Sequence, residues 1–227
     1  MKLTLVVGAR PNFMKIAPII RAIESKKKNG FPISYRLIHT GQHYDLVMNQ
    51  YFFEQLHIPK PDISFECGGG TDSEQTACIM KAFEQELIAH KPHTVLVVGD
   101  VNSTMACAIV TKKQNISLIH VEAGIRSGDK SMPEEINRIV TDAISDMYFT
   151  TSKSADELLF KNGIAKDQIF FVGNTMIDTL IYELKNLRPP TFWDELELDK
   201  QHFYLLTLHR PSNVNDSEKL KKLLDAI

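Results

Sequence analysis

The chain has no run of apolar residues near the roughly 18 that a membrane-spanning helix requires. Cysteine is scarce as well. Cys67, Cys78 and Cys107 form no CxxC pair, and an odd, scattered set suits a reducing compartment better than a disulfide framework. Charge of one sign is also missing: 26 Lys and Arg stand against 28 Asp and Glu, a net charge of −2. That balance leaves no electrostatic footprint for nucleic acid or an anionic membrane. Met1-Lys2 leads straight into strand-like residues without the regions of a leader peptide, so a cytoplasmic location is expected. Neither GxGxxG nor GK[ST] occurs, which excludes the usual cradles for a dinucleotide or a Walker-bound nucleotide, and no cofactor is expected. What is present is a composition of 43% hydrophobic and 24% charged residues, enough to bury a real core. The length of 227 residues leaves one domain or two open.

Short β-branched runs alternate with amphipathic stretches. Residues 3–7, 33–38, 94–98, 118–121, 147–150 and 169–172 read as strands, apolar on both faces, as in a parallel sheet covered by helices. Between them, 72–90 sets Ala77, Ile79, Met80, Phe83, Leu87 and Ile88 on one helical stripe, with Thr71 and Glu74 as a capping box. The pattern predicts an α/β, Rossmann-like, doubly wound sheet. Pro18 should kink the first helix or displace its start. Beyond Gly173 the organisation changes. A helix over 175–187 and a stiff Arg188-Pro189-Pro190 break precede a strand at 202–209 and one further helix, too little to bury a core alone. The boundaries expected are therefore 1–174 for the main domain, 175–200 for a helix and linker, and 201–227 for the start of an incomplete second domain.

Three strand ends carry chemistry. "VVGARPNFMK" (residues 6–15) is a strand, a Gly turn and a helix start, where Arg10 and Lys15 could join backbone N–H groups at an anion; a plain βα turn explains it equally well. "VVGDVNSTMA" (97–106) leaves Asp100 at a strand end, with helix capping as the alternative role. "HVEAGIRSGDKSMPEEINR" (120–138) puts Glu122 beside buried positions and Glu134 four residues before Arg138 on one helix face. If these strands are neighbours, Asp100, Glu122 and Glu134 converge, and clustered carboxylates supply an acid and a base. Glu135 and Asp129 read as solvated surface acids. His39 and His43 flank a loop and do not form a helical HExxH pair, so no metal site is expected.

Together these segments, with Thr40-Gly41-Gln42-His43, Gly173-Asn174-Thr175 and His209-Arg210-Pro211, resemble the non-hydrolysing UDP-N-acetylglucosamine 2-epimerases of bacteria. The resemblance implies a glycosyltransferase-B type architecture with the second domain truncated, and a homodimer. The reaction it implies eliminates UDP across C1–C2 of the sugar to a glycal, then adds UDP back with the C2 proton on the other face. Asp100, Glu122, Glu134, Lys15, Arg138 and His209 match the family's catalytic positions; Arg10, Gln42, His43 and Arg210 match positions that contact the UDP-sugar. Asn12 stands where many relatives carry an acid, and Pro211 where many carry a basic residue. Alternatives are a hydrolysing epimerase, a glycosyltransferase of the same fold, and a truncated module without turnover.

Overall fold

Parallel pairing joins seven strands: β1 (Lys2–Val7), β2 (Ser34–His39), β3 (Ile63–Ser64), β4 (Thr94–Val98), β5 (Ser117–Ala123), β6 (Met147–Thr150) and β7 (Ile169–Phe171). Their order is β3-β2-β1-β4-β5-β6-β7, and it reverses between β1 and β4. At such a reversal the helices leaving the two strands go to opposite faces and open a crevice at the carboxyl ends. This is the Rossmann-like α/β sheet expected, with strand ends within two residues of their expected positions. The computed structural model describes residues 1–42, 52–190, 192–195, 198, 203–208 and 211–226. They form two units, Met1–Lys185 and Asn186–Ile227.

In the first unit α1 (Arg10–Lys28) covers one face of the sheet, and α2 (Asp72–Ala89) and α3 (Asn102–Lys113) the other; α4 (Pro133–Ile144) and α5 (Lys153–Lys161) follow β5 and β6. The twofold alternation of strand side chains divides β1 between two cores. Leu3, Leu5 and Val7 join Phe13, Ile16 and Ile20; Val6 joins Ile79, Phe83, Val97 and Leu118. Each fully buried Leu, Ile or Phe contributes about 1.5–3 kcal/mol. Thr71 and Glu74 form the expected capping box on α2. The buried stripe of α2 is Ile79, Phe83 and Leu87, but Ile88 is 64% exposed. Glu86 is buried instead, because Arg36 Nε donates to its Oε1 at 2.8 Å.

Pro18 does not displace the start of α1, which runs unbroken from Arg10 to Lys28. A proline at this position has no N–H to give the carbonyl four residues back, Met14. The hydroxyl of Thr179, on α6 (Thr175–Glu183), donates to that carbonyl at 2.7 Å. The helix defect becomes the docking point for α6.

The cysteine reading is corrected. Cys67 and Cys78 are disulfide-bonded with Cα atoms 5.7 Å apart, and buried Cys107 is the free thiol. The scatter in sequence hid the pair because the loop at 67–71 turns back along α2, which carries Cys78.

Within the second unit lie α7 (Phe192–Glu195), α8 (Pro211–Val214) and α9 (Ser217–Asp225), the last capped by Asp216. Trp193 meets Phe203 edge to face at 5.2 Å. The strand expected at 202–209 is not formed over 203–208, where Tyr204 is fully exposed and Leu205 88% exposed. A β-strand exists by pairing its backbone groups with a neighbour, and among the described residues of this unit no strand offers one.

Two outcomes are expected. Alkylation of the denatured chain without reductant should label one cysteine of three, and all three after reduction; three labels without reductant would remove the Cys67–Cys78 bond. Thr179→Val should leave the partly buried Met14 carbonyl without its hydroxyl donor, lowering unfolding stability by about 1–3 kcal/mol in urea titration.

Candidate active site

The crevice at β1 and β4 is furnished by a defect in β5. That strand pairs in register with β4, Val98 opposite Val121. Against β6 it slips: Val121 faces Phe149 and Ala123 faces Thr150, leaving Glu122 unopposed. Glu122 takes φ +70°, a left-handed backbone that costs a non-glycine residue roughly 1–3 kcal/mol. A bulge of this kind re-aims its side chain. The Glu122 Oε2 lies 2.7 Å from Lys15 Nζ, with side-chain exposures of 14% and 6%. Gly99, at φ +69°, admits this arrangement, since a Cβ there would sit 2.9 Å from Lys15 Nζ.

Asp100 follows Gly99 and pairs with the Arg138 guanidinium of α4 (Pro133–Ile144). It does not cap α3, whose N-cap is Val101. Asn137 donates to the Asp100 carbonyl at 2.9 Å and to Asn102 Oδ1 at 3.1 Å, and Asn102 donates in turn to Asp72 and Gln75, both at 2.9 Å. The structure therefore brings Lys15–Glu122 and Asp100–Arg138 to one rim, on adjacent strands. Glu134 is exposed in the first turn of α4, one turn before Arg138. Arg10 is exposed at the start of α1. The Gln42 side-chain oxygen accepts from Ser103 N at 3.2 Å and Ser103 Oγ at 2.6 Å, so it serves the start of α3. His43, His209 and Arg210 lie outside the described residues.

At the β1 turn the N–H groups of Gly8 and Ala9 both donate to Asn12 Oδ1 at 3.1 Å. Asn12 Nδ2 donates to the Val98 carbonyl at 3.0 Å, tying β1 to β4. An acid at position 12 would lack that donor, and the two N–H groups are not open to an anion. Gly8 is required by proximity, since a Cβ there would fall 2.1 Å from Ser103 Oγ.

Sequence reasoning missed a buried charged cluster behind the rim. His120, fully buried, has Nδ1 2.7 Å from Asp142 Oδ1 and Nε2 2.8 Å from the Gly99 carbonyl. Asp142 Oδ2 accepts from Gly124 N at 3.1 Å and Arg126 Nη1 at 2.7 Å. Tyr148 Oη lies 2.8 and 2.6 Å from the Asp142 and Ser145 carbonyls, and burial, with the charges of Asp142 and Asp146, pushes its phenol up to about 12. The signal in the sequence was the run Glu134, Arg138, Asp142, spaced by four on one helix. Glu135, read as a surface acid, is also buried; it accepts from Ser127 N and Gly128 N at 2.8 and 3.2 Å and holds the loop before α4. Asp129 is exposed as expected and accepts from Ser131.

Burial pushes the Asp142 carboxyl up, but the hydrogen bond and charge of His120 and then those of Arg126 outweigh it and leave it below the usual range. For Glu135 burial is likewise overcome, by the Ser127 and Gly128 N–H groups, the Ser127 hydroxyl and the Arg126 charge. A folded-state value below the unfolded one adds stability that is complete above the unfolded value and is lost as pH falls through the folded one. Stability should therefore hold down to about pH 5 and fall below about pH 4. Asp142→Asn should flatten that acid limb, read as urea midpoints between neutral and acid pH; an unchanged slope would exclude Asp142 as a contributor.

Comparison with known proteins gives a consistent result. The family described as UDP-N-acetylglucosamine 2-epimerase matches residues 24–227. A UDP-N-acetylglucosamine 2-epimerase of Methanocaldococcus jannaschii is 42% identical over all of this chain and 62% of its own length. A UDP-2,3-diacetamido-2,3-dideoxy-D-glucuronate 2-epimerase of Pseudomonas aeruginosa is 38% identical, again over all of this chain and 62% of its own. The crystal structure of the Methanocaldococcus enzyme with UDP-GlcNAc and UDP superposes with a TM-score of 0.88 at 41% identity, covering 99% of this chain and 61% of that one. The chain thus spans about three fifths of the length of these relatives. On the family match and these identities, the chain belongs to the UDP-N-acetylglucosamine 2-epimerase family.

Proposed function

We propose that this chain carries the catalytic carboxylates of a non-hydrolysing epimerase that interconverts UDP-N-acetylglucosamine and UDP-N-acetylmannosamine, a precursor for surface polysaccharide. The observation that carries the reading is the meeting of two carboxylate–cation pairs, Lys15–Glu122 and Asp100–Arg138, at the carboxyl ends of adjacent strands. The C2 hydrogen of such a sugar has no neighbouring carbonyl to acidify it. Its removal must be coupled to departure of a leaving group, so one carboxylate takes the C2 proton as the C1–O bond to UDP breaks. The products are a glycal and UDP. Return of the UDP oxygen to C1, with a proton delivered to C2 from the opposite face by a second carboxylate, completes inversion. Asp100, Glu122 and Glu134 are the candidate proton carriers. Lys15 and Arg138 supply positive charge toward the departing diphosphate, and His209 is assigned a catalytic role on the family resemblance alone. Arg10, Gln42, His43 and Arg210 are assigned to substrate contact on the family resemblance.

On this reading residues 1–174 form the catalytic domain, 175–200 the connection and 201–227 the beginning of a UDP-binding domain. The working enzyme is a homodimer, and a cytoplasmic location has to accommodate the Cys67–Cys78 bond, of a kind that is rare in reducing compartments. Among the described residues no helix is long and apolar enough to cross a membrane. A second reading, a UDP-diacetamido uronic acid as substrate, is favoured by the 38% identity to the Pseudomonas relative. Both use the same C2 chemistry and differ in ring substituents.

The test is proton NMR of UDP-N-acetylglucosamine in deuterated water with the uninterrupted gene product. Growth of the manno signal with deuterium at C2, UDP remaining on the sugar, is expected. Free N-acetylmannosamine would indicate the hydrolysing reaction, and no exchange at C2 with either substrate would overturn the assignment. The 227-residue chain alone is expected to show no turnover and to bind UDP weakly.

A further inference from the structure

Glu122 and Asp100 stand at the ends of different strands, and both strand ends leave regular strand geometry. Glu122 is the left-handed residue of a bulge, and Asp100 follows Gly99, whose φ is +69°. Something must hold both. The Asp142 carboxylate grips β5 on either side of the bulge. Its Oδ1 faces the ring of His120, two residues before Glu122, and its Oδ2 accepts the N–H of Gly124, two residues after it. His120 then reaches across to β4, where Nε2 lies 2.8 Å from the Gly99 carbonyl. The Gly99 N–H returns to the Val121 carbonyl at 3.0 Å, closing a loop of hydrogen bonds around the gap between the strands.

Both ring nitrogens of His120 face acceptors, a carboxylate and a carbonyl, so a ring with one bare nitrogen would set two lone pairs against each other at 2.7 or 2.8 Å. A ring carrying a proton on each nitrogen satisfies both contacts. Asp142 supplies the counter-charge and the partly exposed Arg126 balances the remaining lone pair, while the pair itself is screened from solvent, His120 fully and Asp142 at 4% exposure.

We propose that Asp142, acting through a doubly protonated His120, is the positioning residue that sets Glu122 and Asp100 in mutual register for proton transfer at C2. The pair touches no substrate. It fixes the β5 bulge with one oxygen of Asp142 and the β4 turn with the imidazolium, so the two carboxylates move as one body. This rests on the epimerase reading for its consequence in catalysis, but the state of the His120 ring does not.

The test therefore has two arms on the uninterrupted gene product. In the first, the protein labelled with nitrogen-15 in its histidines is read by NMR, with His120 assigned by its loss in His120→Gln. Protons on both ring nitrogens at neutral pH are expected. A bare Nε2 in the wild type overturns the proposal whatever the enzyme does, and this arm needs no folded Asp142 variant. In the second, steady-state kinetics of Asp142→Asn should show kcat reduced by about 100-fold, the effect of misplacing reacting groups by about 1 Å. KM should stay within about threefold, and Asp142→Glu should recover part of the loss. A kcat within about threefold of wild type, or a rise in KM alone, overturns the proposal. If the wild type does not epimerise, the functional reading fails by itself, and the ring measurement still decides whether His120 bridges the strands.

Discussion

A left-handed backbone at Glu122 is the constraint around which the rim of this sheet is organised. The cost of that conformation for a residue with a side chain, roughly 1–3 kcal/mol, must be met by contacts that vanish if the strand straightens. Several converge there. Register with β4 is kept up to Val98 and Val121, the slip is taken up against β6, and Asp142 bonds both flanks of the bulge. Hydrogen bonds to a charged group contribute about 1.5–3 kcal/mol each, so two or three suffice to offset the strain. Straightening β5 by one residue would turn Glu122 away from Lys15 and send alternate side chains to the wrong faces.

Helix α4 carries this arrangement to the rest of the site. From it come Glu135 for the loop at 127–128, Asn137 and Arg138 for Asp100, and Asp142 for β5. A helix so rich in buried polar groups would be costly if any were left unpaired. Each of those named has its partner, and Tyr148 secures the last turn through the Asp142 and Ser145 carbonyls. The polar set extends through Asn102 to Asp72 and Gln75 on α2, the helix tethered by the Cys67–Cys78 bond. Rigidity of this kind suits chemistry in which small displacements of a carboxylate change rate steeply.

Much of this was readable from the chain. Short apolar runs separated by amphipathic stretches identified the parallel sheet; Asp100 and Glu122 were singled out at the ends of strands that prove adjacent, and Lys15 and Arg138 on the helices that face them. The misses share a cause. Ile88 and Glu86 exchanged places because a single ion pair with Arg36 outweighed helical periodicity. Glu135 looked like a surface acid because its partners, the N–H groups of Ser127 and Gly128, are backbone atoms that no residue pattern displays. Residues 203–208 looked like a strand by composition and have no strand pairing, since composition does not supply a neighbour.

The sequence by itself determined the alternation of strands and helices, the two apolar cores and the residue types available at each strand end, because these follow from periodicity and from side-chain chemistry. The tertiary structure decided which charges face one another. Pairing of Lys15 with Glu122, of Arg138 with Asp100, of His120 with Asp142 and of Cys67 with Cys78 depends on strand order and a one-residue slip in β5. Those are properties of distant segments brought together, and local preference carries no information about them.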